Sequence, residues 1–147
     1  MKKKNFSLTY KAYLAGLLDG DGSIYVRAKR NSTYRYGFQI ACYVAFFQSN
    51  KKKNEFKTIF LHNELGKMRE RNDGILEYVI NRKNSILKLI ENIKPFLILK
   101  KKQAFLLIKI LKNKEKVKSK KDFENLLKLI DGFRELNYSK KAHIITP

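Results

Sequence analysis

Little in this sequence can be cross-linked or inserted into a membrane. Its 147 residues hold one cysteine, Cys42, which excludes an intrachain disulfide and any cysteine-rich zinc site. Two isolated histidines, His62 and His143, offer no ligand spacing and read as ordinary residues. No apolar run approaches the roughly 18 to 20 residues of a spanning helix. Lys2-Lys3-Lys4 before an apolar stretch imitates a secretion signal, but Lys11 interrupts the stretch and Asp19 and Asp21 end it without a cleavage site. Acid is scarce too. Thirteen Asp and Glu stand against 33 Lys and Arg, leaving a formal net charge of +20, the footprint of a polyanion binder.

What is present suffices for one domain spanning 1–147: 44% of residues are hydrophobic and 12% aromatic, enough to build a core. Heavy use of Lys, Asn, Ile, Leu and Phe is what an AT-rich coding sequence yields, and it points to an organellar or similar genome. Ser7 or Thr9 can cap a helix reaching Asp19. Ala12, Gly16 and Gly20 recur every four residues along it, a small-residue stripe that permits close approach of another helix. Tyr10, Tyr13, Leu14, Leu17 and Leu18 are left to face a core.

Two strands are expected next, Ser23 to Arg30 and Tyr34 to Gln48, joined by Asn31-Ser32-Thr33. In the first, Ile24, Val26 and Ala28 alternate with Tyr25, Arg27 and Lys29, giving one apolar and one basic-aromatic face. A helix is predicted from Asn54 to Leu65 with Gly66 as its C′ residue. A hairpin follows, Lys67 to Arg71 and Ile75 to Asn81 around Asn72-Asp73-Gly74. Ser85 to Ile93 reads as a helix ended by Pro95, which biases Lys94 away from helical angles. Lys100 to Lys112 and Asp122 to Leu136 complete an α+β order of αββαββα plus two helices.

The run Leu14-Ala15-Gly16-Leu17-Leu18-Asp19-Gly20-Asp21-Gly22 brings two carboxylates to the end of a helix and opens at once into a strand. An EF-hand would need alternate oxygen ligands and a Glu at the twelfth position, but Ser23-Ile24-Tyr25 begins a strand instead. A glycine turn with solvated carboxylates is the plain alternative. In a strongly positive field an Asp is kept ionised and ready for metal. Carboxylate and water suit Mg²⁺, which uses one or two protein carboxylates alongside phosphate oxygens. One carboxylate is thin for phosphodiester hydrolysis. The stripe on the same helix suggests that a partner copy supplies the second.

The run resembles the signature of the LAGLIDADG homing endonucleases. The strand Gln39 to Gln48 leading to Glu64-Leu65-Gly66, and the stretch Lys94-Pro95-Phe96-Leu97-Ile98-Leu99-Lys100, resemble further segments of that family in the right order. Only one Leu-Ala-Gly motif occurs, so the chain is similar to the single-motif, homodimeric kind. The resemblance implies a four-stranded antiparallel saddle on double-stranded DNA and a site-specific double-strand cut with short 3′ overhangs in a pseudo-palindromic target. It also implies a divalent metal, Mg²⁺ with Mn²⁺ able to substitute.

By correspondence with the family, Asp21 and the Gly20 carbonyl hold metal, and Gln48, Lys100 and Lys52 (among Lys51 to Lys53) complete the catalytic pocket. Ala12, Gly16, Asp19 and Gly20 form the dimer interface, with Asp19 capping or bracing the helix pair. Ser23, Tyr25, Arg27, Lys29, Asn31, Gln39, Tyr43, Lys67, Arg69, Arg71 and Glu77 are expected on the DNA face. There Arg and Lys reach guanine, Gln reaches adenine and Glu accepts from cytosine. Asn113 to Lys121, with Ser139, Lys140 and Lys141, are expected on phosphates. The rivals are an RNA maturase or cleavage-dead DNA binder of the same fold and, more distantly, a basic structural RNA-binding protein.

Overall fold

The computed structural model describes residues 5–145, with side chains described as far as residue 137. The chain divides into two compact units, residues 1–23 with 43–101 and residues 24–42 with 102–147. Strands are ordered β1-β2-β4-β3 in one four-stranded sheet, and β2 (Phe38–Ser49) contributes residues to both units.

In the first unit, α1 (Leu8–Asp21) starts at Ser7, whose Oγ accepts the Tyr10 N–H at 3.2 Å. Leu14, Ala15 and Leu18 are fully buried, while Leu8 and Tyr13 stand open, Tyr13 at 55% exposure. Tyr13 therefore does not face the core as expected. It precedes Gly16 by three residues and Gly20 by seven, which puts it on the small-residue side of the helix. β4 (Ile75–Ile80) pairs antiparallel with β2, Val44 opposite Ile80 through Ser49 opposite Ile75, and with β3 (Lys67–Glu70) on its other edge. Alternation buries Leu76, Tyr78 and Ile80 on one face. α3 (Lys83–Ile93) lays Ile86, Leu89, Ile90 and Ile93 into the same core at helical spacing.

Two expectations fail in this unit. α2 (Lys53–Ile59) ends six residues before Leu65, because the Tyr10 hydroxyl takes the Ile59 carbonyl at 2.6 Å and Asn63 Oδ1 accepts the Leu65 N–H at 3.0 Å. The left-handed residue of this turn is Glu64, at φ +52°, and not Gly66. Gly66 is required by crowding, since a Cβ there would lie 2.3 Å from the Val79 carbonyl oxygen. Lys94 also keeps helical angles, φ −56° and ψ −34°, and Pro95 sits in a 3₁₀ turn over Lys94–Phe96 that continues α3. A proline early in a helical turn lacks only an N–H that had no partner to lose.

The second unit holds β1 (Ser23–Arg30) from Ile24 onward, the start of β2, α4 (Lys101–Glu115) and α5 (Lys120–Ile145). Ile24, Val26 and Ile40 are buried, as are Leu107, Ile110, Leu126, Ile130 and Phe133 on the helices. The connection of β1 to β2 is longer than Asn31-Ser32-Thr33. Asn31 donates its N–H to the Gly37 carbonyl at 2.8 Å, and Gly37 closes the turn at φ +80°. Tyr36 stacks on Phe123 with centroids 5.1 Å apart, which draws residues 34–37 out of the expected strand. Burial pushes the Cys42 thiol up to about 11 against the pull of Lys114, so this cysteine is unreactive near neutrality. Among the described residues no helix is long and apolar enough to cross a membrane.

Candidate metal centre and nucleic-acid interface

The acidic run separates into two environments. Asp19 is buried, and its carboxylate accepts the N–H of Ile98 on Oδ2 at 2.8 Å and that of Lys100 on Oδ1 at 2.9 Å. Burial works against its ionisation, but the N–H groups of Ile98, Lys100 and Leu99 and the Lys100 ammonium outweigh it and hold its pKa below the ordinary value. Asp19 was expected to cap or brace the helix pair at the dimer interface. Within its own chain its carboxylate clamps the 98–100 segment onto the end of α1.

Lys100 is only 8% exposed, and its Nζ donates to the Asp19 backbone carbonyl at 2.9 Å. A cation on the last carbonyls of a helix meets the negative end of the macrodipole. Asp21, two residues on, is exposed at the final position of α1, and Gly20 beside it is exposed as well. Gly22 ends the helix, donating its N–H to the Leu18 carbonyl at 3.0 Å. A Cβ on Gly22 would lie 2.5 Å from Leu18 Cδ1 and 3.1 Å from the Ala45 carbonyl oxygen, so the glycine lets β2 pass directly under the acidic end. Gln48 follows three residues along that strand, exposed, its Oε1 accepting the Ser49 N–H at 2.9 Å. Lys52 is exposed in the 3₁₀ turn Asn50–Lys52, whereas Lys53 pairs with Glu70 at 3.2 Å.

The helix side opposite the core is open. A Cβ on Gly16 or Gly20 would meet nothing within 4 Å, and Ala12 shares their exposure. Ile98 and Leu99, on the segment Asp19 clamps, are 81% and 71% exposed. Position Asp21 therefore sits at the end of a flat, partly apolar surface.

On the sheet, register lines up Phe47, Glu77 and Arg69 in one row and Ala45, Val79 and Lys67 in the next. Arg69, Arg71 and Lys67 are exposed, while Glu77 is buried with its oxygens held by Arg69 at 2.8 Å and Arg71 at 3.4 Å. Glu77, expected to accept from cytosine, is held within the sheet as a counter-ion to two arginines. Asp73 takes a second Arg71 nitrogen at 2.7 Å. Arg27, Lys29 and Gln39 are exposed; Ser23, Tyr25 and Tyr43 are half-buried. Asn31 Oδ1 accepts from the Thr33 N–H and hydroxyl at 3.1 and 2.6 Å, so this side chain braces its turn. The side chains of Ser139, Lys140 and Lys141 lie outside the described residues. Among the described residues no three His, Cys, Asp or Glu side chains form a group that could hold a metal, which leaves Asp21 as a single acid.

An exposed carboxylate thus ends the small-residue side of α1, and the exposed Lys67, Arg69 and Arg71 give β3 and the turn after it a basic surface. A sequence profile of the LAGLIDADG endonuclease family matches residues 14–112, and the chain belongs to that family. It is 30% identical to DNA endonuclease I-CreI of Chlamydomonas reinhardtii over 137 residues, covering 92% of this chain and 83% of that protein. It is also 30% identical to DNA endonuclease I-CvuI of Chlorella vulgaris over 146 residues, covering 99% and 91%. A crystal structure of I-CvuI with DNA in the presence of Mg superposes with a TM-score of 0.81 at 28% identity, over 87% of this chain and 82% of that one. The archaeal homing endonuclease I-Vdi141I shares the fold, with a TM-score of 0.77 at 18% identity.

Proposed function

We propose that the chain is a site-specific, double-strand DNA endonuclease acting as a homodimer, with one Asp21 from each copy at a shared cleavage centre. The observation that carries this reading is the split between Asp19 and Asp21. The first is fully engaged in its own chain, and the second is offered at the tip of an open helix face. Two copies joined on Ala12, Gly16 and Gly20 would place two such tips together around a two-fold axis, and an isologous pair calls for a pseudo-palindromic target. The exposed Ile98 and Leu99 extend the surface available to the partner.

The donors present fit a hard cation. Asp21 offers a carboxylate and Gly20 a carbonyl, both exposed and neither backed by sulfur or imidazole, which suits Mg²⁺ with Mn²⁺ as substitute. Such an ion supplies charge to the phosphate and to the leaving oxygen. The chain's own residues do the rest. Asp19 holds the 98–100 segment, and the Lys100 ammonium rests on the Asp19 carbonyl, two residues before Asp21, where it would stabilise charge developing on the phosphate. Gln48 and Lys52, at the end of β2 and in the turn after it, order the attacking water and the phosphate. The product is a double-strand break with short 3′ overhangs. The AT-rich codon bias agrees with an organellar gene, and the two algal relatives accord with that.

Selection of cleaved sites from a randomised duplex library with Mg²⁺, run with the wild type and with Asp21→Asn, tests the assignment. Cleavage by the wild type alone is expected, and equal cleavage by both contradicts it. Binding to the selected site should weaken by about 10³ to 10⁵ between about 50 and 200 mM salt if roughly 6 to 10 phosphates are neutralised. A flat salt profile argues against the reading.

A further inference from the structure

The basic sheet face contains an apolar strip that a purely hydrogen-bonding reading of bases does not use. Phe47 and Val79 are half-buried on this face beside Ala45, and the polar Tyr43, Asn81, Glu77, Lys67 and Arg69 line the rest of the same groove of about 350 Å³. The register sets Ala45 beside Val79 and Phe47 beside Glu77, so the strip is continuous across β2 and β4. Phe47 and Val79 are not part of the core, while Ala45 between them is buried. Val44, Phe46, Leu76, Tyr78 and Ile80, their neighbours along the strands, fill the core from the opposite face.

We propose that this groove recognises thymine, through its C5-methyl groups, in each half of the DNA target. The proposal rests on the endonuclease reading and adds base identity to it. Charge complementarity brings the duplex to the groove, since Lys67 and Arg69 flank it on a chain of net charge +20. Within the groove neither Phe47 nor Val79 carries a donor or acceptor. A cytosine or adenine amino group laid against them would lose its water without gaining a partner. Glu77, the acid beside Phe47, has each carboxylate oxygen paired with an arginine, Arg69 or Arg71, so neither oxygen faces the Phe47–Val79 strip without a cation beside it. Thymine alone presents an apolar group in the major groove, and contact with it removes the open surface of Phe47 and Val79 from water. The small residue beside them, Ala45, leaves room for the methyl.

The test starts from the duplexes cleaved out of a randomised library. Thymine should be enriched at clustered positions in each half-site, and replacing those thymines with deoxyuridine, which deletes only the methyl, should weaken binding about fourfold per methyl. Val79→Gln should shift the preference at one of those positions from thymine to adenine. The deoxyuridine comparison uses the unaltered protein, so it stands whether or not the variant folds. Absence of thymine enrichment, or affinity unchanged by deoxyuridine, overturns the proposal while leaving the endonuclease reading intact. Failure to select any duplex overturns both.

Discussion

The two sides of α1 each end in an aspartate and do opposite things. The inward side packs Leu14, Ala15 and Leu18 at zero exposure and ends in Asp19, whose carboxylate is locked by two backbone N–H groups. The outward side carries Ala12, Tyr13, Gly16 and Gly20 and ends in Asp21, which is open to solvent. Glycine differs in the same way. Gly22 is compelled by crowding against Leu18 and Ala45, while Gly16 and Gly20 have empty space where a side chain would go. A monomer gains nothing from those two, since glycine inside a helix costs up to about 1 kcal/mol relative to alanine. Inward residues here answer to folding, and the outward ones are those proposed to meet a partner and a ligand.

That contrast can be broken from either side. The largest effect is expected at Asp21. Loss of residues that merely orient metal ligands costs about 10- to 100-fold, so Asp21→Asn, which alters a ligand itself, should lower the cleavage rate by more than about 100-fold. The melting temperature should stay close to wild type, because the side chain is exposed. Asp19→Asn should do the reverse to stability, costing about 1.5 to 3 kcal/mol by denaturant melts, the range for hydrogen bonds to a charged group. Its pH dependence follows from the depressed pKa of Asp19. The stabilisation is complete above the unfolded Asp value of about 3.9 and is lost as pH falls through the lower, folded value. The gap between wild type and Asp19→Asn should therefore close in acid; a gap that widened there would refute the clamp. The smallest effect belongs to Gly16→Ala. It should stabilise the monomer by up to about 1 kcal/mol while weakening self-association in sedimentation equilibrium.

Much of this arrangement could be read from the chain alone. Period-two alternation placed β1, Asn72-Asp73-Gly74 placed the β3–β4 hairpin, and the four-residue stripe identified the open side of α1. What escaped depends on partners distant in sequence. Asp19 and Lys100 lie 81 residues apart, so nothing near Asp19 signals that its oxygens are taken. α2 stops where it does because of Tyr10, 49 residues upstream of Ile59. Glu77 looks like any acid on a strand until the register lays Arg69 across from it. Tyr36 has strand-forming character, and only Phe123 on a distant helix explains why it leaves the strand. Local pattern specifies elements and faces; which polar groups remain available for chemistry is settled by tertiary hydrogen bonds.

The central claim is that each cleavage event needs two Asp21 carboxylates from two copies. Wild type and Asp21→Asn can be co-refolded in equal amounts and assayed for total strand scission of the selected site, nicked and doubly cut products both counted. Random pairing leaves about a quarter of the dimers with both acids, so cleavage should fall to about a quarter of the wild-type value. Retention of about half would show that each copy cuts on its own, and would contradict the shared centre.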